Sequence, residues 1–314
     1  MKSFIAVDGG GTKTEVLLVD TLGNVCFRTI VECTNPNDVT MDRAVFTLKN
    51  ALFNALNEAS NKNLEVVGIY LLIAGIEFGD SKAVLKERLS KELNFEHIVV
   101  DGDLASVKEA GLGKDKDGVV VIAGTGSNMA IKENNKFTNI GGWGYLADTH
   151  LCGFTLGREA LIASSKAING VGEKTILVNL LEDHFKSTLW YAMAEIYQGG
   201  VKRVASLAPI VIDAYKKNDK VAKELINTRI ECLARDIKNN TTGIKGPVKV
   251  CLFGGIFENN KFICDELSTC LGENYKITIV KKKTIQGAVY FAIKDIEKRI
   301  SDEFEKNFDS SYKI

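Results

Sequence analysis

Short β-branched runs alternate along this chain with longer segments in which apolar residues recur at helical spacing. The first kind of pattern is typical of buried strands, and the second is typical of helices with one face packed on a core. Strands are predicted at residues 4–7, 16–19, 25–31, 67–73, 97–100, 119–122, 129–132, 248–253 and 276–280. Helices are predicted at residues 42–61, 82–93, 104–110, 157–169, 174–181, 189–197, 201–218, 219–239, 260–271 and 285–299. The alternation predicts an α/β fold.

Two glycine-rich turns, one near residue 10 and one near residue 125, open two similar blocks of β-β-β-α-β-α type. Only three prolines occur, and no Ser- or Pro-rich linker separates the blocks. We therefore expect two domains packed around a cleft. The first would span residues 1–115 and be joined by a C-terminal helix at 285–314, and the second would span 116–284.

The composition excludes several classes of function. Lys and Arg together number 40, as do Asp and Glu, so no overall charge favours nucleic acid or an anionic membrane. No apolar run approaches the roughly 20 residues that span a bilayer, and Asp8 interrupts the only apolar stretch near the first residue. The seven cysteines form no C-x-x-C pair, which is typical of reduced thiols. We expect a cytoplasmic enzyme with a small-molecule substrate, and a homodimer is left open.

The first glycine turn carries a candidate phosphate and metal site. Asp8 ends a buried strand and could hold Mg²⁺, usually through water. The amides of Gly9, Gly10 and Gly11, together with Thr12 and Lys13, could contact β- and γ-phosphates. A tight hairpin that merely needs glycine is the alternative. Two other phosphate motifs do not fit, because a Walker loop needs glycine immediately before Lys13, and a dinucleotide fingerprint needs glycine at position 14.

The second turn, Gly124-Thr125-Gly126-Ser127, offers another group of amides and two hydroxyls. Two opposed turns around Mg-ATP would neutralise the charge on a transferring phosphoryl group.

Asp103 is the candidate general base. It follows the strand at 97–100 and opens a helix, so it lies at a strand end. A carboxylate there could accept the proton of an attacking hydroxyl. A role as a helix N-cap is the alternative reading, and Asp101 is the competing carboxylate.

Several motifs in this order and spacing resemble one known family over roughly 290 residues. They are Val7-Asp8-Gly9-Gly10-Gly11-Thr12-Lys13-Thr14, Thr34-Asn35, Asp101-Gly102-Asp103, Gly124-Thr125-Gly126-Ser127-Asn128, Gly141-Gly142-Trp143-Gly144 and Phe253-Gly254-Gly255-Ile256-Phe257. The chain resembles the N-acetylglucosamine kinase group within the BadF/BadG-type ATPase family. The resemblance implies two actin-like (ribonuclease H-like) domains with ATP and Mg²⁺ in the cleft, and phosphoryl transfer to O6 of an amino sugar.

The resemblance also assigns individual residues. It places Gly254 and Gly255 against the adenosine of ATP, and sugar contacts at Asn35, Thr125, Asn128, Gly142 and Trp143. For Asn35 the alternative is an Asx turn before Pro36. Trp143 lies among three glycines and could offer a flat apolar wall to a sugar ring, and plain core packing is its alternative.

One segment departs from the family pattern. Relatives continue the tryptophan motif with Gly-Asp-Glu-Gly-Ser, whereas this chain has Asp148-Thr149-His150-Leu151-Cys152. Carboxylates at 149 and 150 would repel an acidic substituent on the sugar, whereas Thr149 and a potentially cationic His150 would admit one. With Asp148, Thr149 and His150 as contacts, we expect N-acetylmuramic acid to be accepted beside N-acetylglucosamine, as in murein sugar kinases. Drift in a loop that only reshapes glucosamine binding is the alternative.

Two other classes of function stay open. One is an activator ATPase of a radical dehydratase or reductase system, which would hold an iron–sulfur cluster through thiolates from two subunits. Here the cysteines are scattered, and Asn35 and Trp143 suit a sugar better. The other is a non-catalytic sugar sensor or a filament-forming relative, for which the sequence shows neither a DNA-binding helix-turn-helix nor large inserts.

Overall fold

The computed structural model describes residues 1–113, 117–134, 136–148, 150–280 and 283–312. It divides into two compact units. The first is Met1–Lys114 together with Lys282–Ile314, and the second is Asp115–Lys281. Each unit is built on one five-stranded mixed sheet, which confirms the α/β class with two domains.

The first unit begins with three antiparallel strands, followed by helices that alternate with parallel strands. Its sheet order is β3-β2-β1-β4-β5. The elements are β1 (Lys2–Gly9), β2 (Lys13–Asp20), β3 (Val25–Glu32), α1 (Met41–Asn61), β4 (Glu65–Ile73), α2 (Ser81–Leu93), β5 (Ile98–Gly102) and α3 (Asp103–Leu112).

The second unit repeats this plan with more helix, and its sheet order is β8-β7-β6-β9-β10. Its elements are β6 (Gly118–Ala123), β7 (Ser127–Glu133), β8 (Lys136–Ile140), α4 (Gly153–Ile168), α5 (Leu177–Phe185), α6 (Leu189–Ala205), α7 (Ala208–Lys216), α8 (Lys220–Asn240), β9 (Val248–Phe253), α9 (Gly255–Glu258), α10 (Lys261–Leu271) and β10 (Tyr275–Ile279). The chain then returns to the first unit with α11 (Thr284–Glu297) and α12 (Asp302–Ser311).

The first sheet is buried on both faces. Along β1, Ile5 and Val7 pack with the helices α1 and α2, whereas Phe4 and Ala6 pack on the opposite side with α11 and α12. This alternation is the period-2 pattern of a strand, and it explains why β1 reads as a continuous apolar run. The three layers hold the carboxyl ends of β1, β4 and β5 in place.

The second unit has its own large core. One face of its sheet packs against residues of six helices, α4, α5, α7, α8, α9 and α10. A smaller apolar cluster joins α5 and α6 through Leu181, Leu189 and Ile196. Each unit therefore has the buried apolar interior that an independent domain needs.

Three parts of the secondary structure differ from expectation. The strand β8 was not predicted, because three of its five residues are polar and all five are at least partly exposed at a sheet edge. The helix predicted at 201–218 is divided between Ala205, where α6 ends, and Ala208, where the separate helix α7 begins with Pro209 in its first turn. The C-terminal segment forms two helices instead of one, because Lys298 has a left-handed conformation with φ 60°.

Among the described residues, no helix combines the length and the apolar character that crossing a membrane requires. All seven cysteines are free thiols.

Candidate active site

The carboxyl ends of three parallel strands meet at one edge of the first sheet. Gly9 of β1 pairs in register with Ile73 of β4, and Ile73 pairs with Gly102 of β5. The residues just before or after these positions therefore share one edge of the sheet. This edge brings together Asp8, the loop at 74–80 and Asp103.

Asp8 lies inside this edge with a close partner from the C-terminal segment. The Thr284 hydroxyl, at the first residue of α11, donates a hydrogen bond to the Asp8 carboxylate. Burial raises the pKa of Asp8 to about 7, although the Thr284 hydrogen bond and Lys13 act in the opposite direction. The negative charges of Asp103 and Glu15 add to the increase. The charged form of Asp8 is therefore disfavoured at this edge, chiefly by burial.

Asp103 is the first residue of α3, and its neighbour Gly102 occupies the N-cap position. Its side chain is thus not the N-cap that the alternative reading required. Burial raises its pKa to about 6, the Leu104 backbone N–H opposes this, and the negative charge of Glu77 adds to it. A carboxylate with such a pKa is suited to accept a proton near neutral pH.

The Asp101 carboxylate already accepts hydrogen bonds from neighbouring groups. Its Oδ1 accepts hydrogen bonds from Lys82 Nζ at 2.6 Å and from the Gly102 backbone N–H at 2.8 Å. Lys82 also forms an ion pair with Glu77 at 2.7 Å. Glu77 lies directly over Gly102, since a Cβ added there would stand 1.8 Å from Glu77 Oε1. Of the two carboxylates, Asp103 is the one without an ion pair among the described residues, which favours it as the base.

The first glycine turn is short and tightly packed from behind. The Gly10 N–H donates to the Lys13 carbonyl at 3.0 Å and closes the hairpin. A Cβ on Gly9 would stand 2.4 Å from Ile73 Cδ1 and 2.9 Å from Thr34 Oγ1, so a larger residue would force these buried side chains to move. Thr12 and Lys13 are exposed and available to a phosphate.

The second turn is different, because nothing in the fold requires its glycines. A Cβ on Gly124 or Gly126 would meet no atom within 4 Å, and neither residue has a positive φ. The turn rests on the start of α4, where the Gly153 and Phe154 amides donate to the Gly124 and Thr125 carbonyls at 2.8 and 2.9 Å. The buried Ser127 hydroxyl has no hydrogen-bond partner in the described chain. An open backbone and an unsatisfied hydroxyl fit a turn that faces a ligand.

The third turn is explained largely by its own packing. Gly254 has φ 95°, and a Cβ there would stand 2.4 Å from the Ala123 carbonyl oxygen at the end of β6. Its N–H donates to Glu258 Oε1 at 3.1 Å. Gly255 opens α9 and is exposed. The adenosine contact expected for this pair stays a prediction.

Asn35 forms the Asx turn that was the alternative to a sugar contact. Its Oδ1 accepts from the Asn37 backbone N–H at 2.9 Å, and its Nδ2 donates to Asp38 Oδ2 at 3.0 Å. Gly75, with φ 76°, lies against the Asn35 side chain. The amide is therefore used inside its own loop, and a sugar contact would need one of its remaining hydrogen-bonding positions.

Four of the predicted sugar contacts come together in the second unit. Loop 141–150 has glycines of positive φ at 141, 142 and 144. A Cβ on Gly142 would stand 2.8 Å from Asn128 Nδ2, and one on Gly141 would stand 2.6 Å from His150 Cε1. Asp148 Oδ2 accepts from the Gly144 N–H at 3.2 Å. Asn128, Gly142, Asp148 and His150 thus belong to one structure.

Trp143 is carried by the same loop and is 73% exposed, so it is not core packing. Exposure is what an apolar wall for a sugar ring requires before the sugar binds. Thr149, also expected to contact the sugar, lies outside the described residues.

The carboxylates of the first unit could bind a divalent cation together with substrate phosphates, although they do not form a complete set of protein ligands. Asp8 supplies a buried hard oxygen donor, and the negative charge of Asp103 lies close enough to it to raise its pKa. No group of three or more His, Cys, Asp or Glu side chains in the described part of the chain could hold a metal alone. Mg²⁺ keeps most of its water and needs only one or two carboxylates together with substrate phosphates, so Asp8 suits this ion.

Three residues of these sites were not found from the sequence. Glu77 follows the buried strand β4 and could have been found, since a carboxylate after a parallel strand is a site signal. Thr284 reads as an ordinary helix start, and Asp236, which lies beside His150, reads as a surface charge on an amphipathic helix. Their partners are distant in sequence, which no local pattern reveals.

Comparisons with known proteins agree with this architecture. An N-acetylmuramic acid/N-acetylglucosamine kinase of Clostridium acetobutylicum is 28% identical over 302 residues, covering 93% of this chain and 98% of the relative. An N-acetyl-D-glucosamine kinase of Dictyostelium discoideum is 25% identical over 293 residues, covering 87% and 91%.

Solved structures share the fold. A Chromobacterium violaceum protein proposed to be an N-acetylglucosamine kinase superimposes with a TM-score of 0.72 at 20% identity, covering 93% of this chain and 99% of that one. A ROK family glucokinase of Streptomyces griseus gives a TM-score of 0.57 at 17% identity, covering 94% and 98%. The family model matches residues 5–292, and the chain belongs to the BadF/BadG/BcrA/BcrD ATPase family.

Proposed function

We propose that this chain is an ATP-dependent amino-sugar kinase that phosphorylates N-acetylglucosamine and N-acetylmuramic acid at O6. The observation that carries the proposal is the carboxyl edge of the first sheet, where Asp103 lies near Asp8 with a pKa raised to about 6. The kinase names of the relatives from Clostridium acetobutylicum and Dictyostelium discoideum support the sugar class.

The reaction follows from the groups present. Asp103 accepts the proton of the sugar hydroxyl as its oxygen attacks the γ-phosphorus of ATP, and the bond to the β-phosphate oxygen breaks to release ADP. Turns 9–13 and 124–127 hold the phosphates through amides, hydroxyls and the Lys13 ammonium. Mg²⁺ beside Asp8 would supply charge neutralisation on the phosphates.

The sugar is held, in this proposal, by loop 141–150 together with Asn128 and Asn35. Trp143 covers one face of the ring, and the backbone of Gly142 can approach it closely because it carries no side chain. Acceptance of the acidic sugar rests on the loss of the family carboxylates at 149 and 150 and on the Clostridium acetobutylicum relative.

An assay of ADP release from purified protein, across amino sugars with and without a 3-O-lactyl group, tests the proposal. We expect turnover of both N-acetylglucosamine and N-acetylmuramic acid, and a phosphorus–carbon coupling at C6 of the product by NMR. Turnover of N-acetylglucosamine alone would remove the acidic sugar from the proposal. ATP hydrolysis that ignores sugars, in a preparation containing bound iron, would favour the activator ATPase instead.

A further inference from the structure

His150 lies between two carboxylates. Its Nε2 is 3.2 Å from Asp236 Oδ2 on α8, and its Nδ1 is 3.6 Å from Asp148 Oδ1. The side chain of His150 is only 16% exposed, and those of Asp148 and Asp236 are 10% and 27% exposed. Any positive charge on this imidazole is therefore already balanced by two neighbouring negative charges.

The imidazole also packs against the backbone of Gly141, in the loop proposed to bind the sugar. A Cβ on Gly141 would stand 2.6 and 2.8 Å from His150 Cε1 and Nδ1, so the ring fills the space under this glycine. Asn128 fills the equivalent space under Gly142. The conformation of the diglycine that precedes Trp143 thus depends on where the imidazole sits.

Asp236 is the contact that fixes the ring to a regular element. A carboxylate oxygen 3.2 Å from Nε2 is in direct contact with the ring and so restricts its position. Nδ1 is buried and has no hydrogen bond among the described residues, so it does not anchor the ring by itself. Arg235 lies 3.6 Å from the other oxygen of Asp236 and is exposed, so it leaves the side of Asp236 that faces His150 free.

We infer that Asp236 is a positioning residue for sugar binding: it holds His150 under the Gly141-Gly142 diglycine and so keeps loop 141–150 in its binding conformation. This inference rests on the proposed amino-sugar kinase activity. It also assigns His150 a role different from the recognition of a lactyl carboxylate, because an imidazole flanked by two carboxylates presents no net positive charge to a third.

The test is a set of variants of the full chain. Asp236→Ala removes the oxygen that contacts the ring, Asp236→Asn keeps an oxygen at the same place, and His150→Gln removes the ring. The matched control is Glu159→Gln, which breaks the similarly buried Arg229–Glu159 pair of 3.1 Å between α8 and α4, away from the loop. Each variant is measured for KM of both sugars, KM of ATP, kcat and melting temperature.

We expect Asp236→Ala and His150→Gln each to raise the KM of both sugars by about tenfold, because a displaced contact typically costs this much or more. The double variant is no worse than either single one, since both act through the same ring. Asp236→Asn stays within about threefold of the unaltered protein, and the ATP KM does not change. Glu159→Gln leaves the sugar KM unchanged.

A second readout does not depend on catalysis. In a Trp190→Phe background Trp143 is the only tryptophan, and its fluorescence anisotropy reports the mobility of loop 141–150. Relative to the Trp190→Phe protein, we expect the anisotropy to fall in Asp236→Ala and to remain unchanged in Glu159→Gln. Anisotropy requires no turnover, so it tests the role of Asp236 even if Asp236→Ala is too unstable for steady-state kinetics. The same measurement on His150→Gln provides a second test.

Several results would overturn the inference. They are an unchanged sugar KM and anisotropy in Asp236→Ala, multiplicative effects of Asp236→Ala and His150→Gln, or a loss confined to N-acetylmuramic acid in His150→Gln. The last result would return His150 to the recognition of the acidic group. A protein that phosphorylates neither sugar before any substitution would instead contradict the proposed function itself.

Discussion

At the scale of single residues, the candidate chemistry depends on carboxylates that the fold keeps partly out of water. Asp8 and Asp103 both have raised pKa values, chiefly because burial disfavours their charged forms. Asp101, by contrast, is compensated by Lys82 and by a backbone N–H. Asp103 can therefore exchange a proton, whereas the charge of Asp101 is held in an ion pair with Lys82.

Replacement of the proposed base tests this separation. We expect Asp103→Asn to lower kcat by about 10²-fold or more, since an amide cannot accept the hydroxyl proton, and to leave the KM of ATP largely unchanged. In the unaltered protein, kcat/KM for the sugar should fall about tenfold per pH unit below pH 6, where Asp103 is protonated. Steady-state kinetics across pH measures both. Near-normal turnover of Asp103→Asn would move the base to Asp101 or Asp148.

The same carboxylate should cost the protein stability. Its pKa rises from 3.8 in the unfolded chain to about 6 in the fold. The unfolded state therefore ionises first, and the fold loses stability as pH rises through this window and keeps that deficit above it. We expect Asp103→Asn to gain about 1–3 kcal/mol in the free energy of unfolding near pH 8, and this gain to shrink toward pH 4. Urea unfolding at both pH values measures it, and Asp101→Asn, which loses an ion pair, should show no gain.

At the scale of elements, the sequence predicts most strands and helices, because both have strong apolar periodicity. The strands β1, β2 and β6 were found from short apolar runs, since both faces of these strands are buried. The strand β8 was missed, and the helix α12 was not predicted as a separate helix, for a physical reason. In both, polar residues dominate, and only Phe304 and Phe308 of α12 are buried.

One helix pair depends on a glycine whose role the sequence left unassigned. A Cβ on Gly287 of α11 would stand 1.8 Å from the Ser106 carbonyl oxygen of α3, a backbone atom that cannot rotate away. We expect Gly287→Ala to destabilise the first unit by about 2–4 kcal/mol, despite the better helix propensity of alanine. Chemical unfolding measures this change. Glu297→Ala, an exposed position on the same helix, is the control, and equal stabilities of the two variants would contradict close packing here.

At the scale of the whole molecule, the two units share one strand order and are each completed by their own core. The repeated β-β-β-α-β-α pattern predicts this arrangement from the sequence alone. Which side chains meet inside each unit could not be predicted, because the contacts of Thr284 with Asp8 and of Asp236 with His150 join distant segments. Local periodicity carries no information about such pairs.

If both glycine turns bind the same nucleotide, a substitution in either turn should weaken ATP binding. Gly126→Ala alters the second unit at a position where a Cβ meets no atom, and Lys13→Met removes an exposed charge from the first. Neither substitution should shift the melting temperature without ligand.

ATP at about 100-fold its Kd should stabilise the unaltered protein by about 2.7 kcal/mol, which raises the melting temperature by several degrees. We expect each variant to lose most of this increase in a thermal shift assay, whereas Lys49→Met, which breaks an exposed ion pair with Glu92 on α2, keeps it. A full ATP response in Gly126→Ala would mean that the nucleotide depends on the first unit alone.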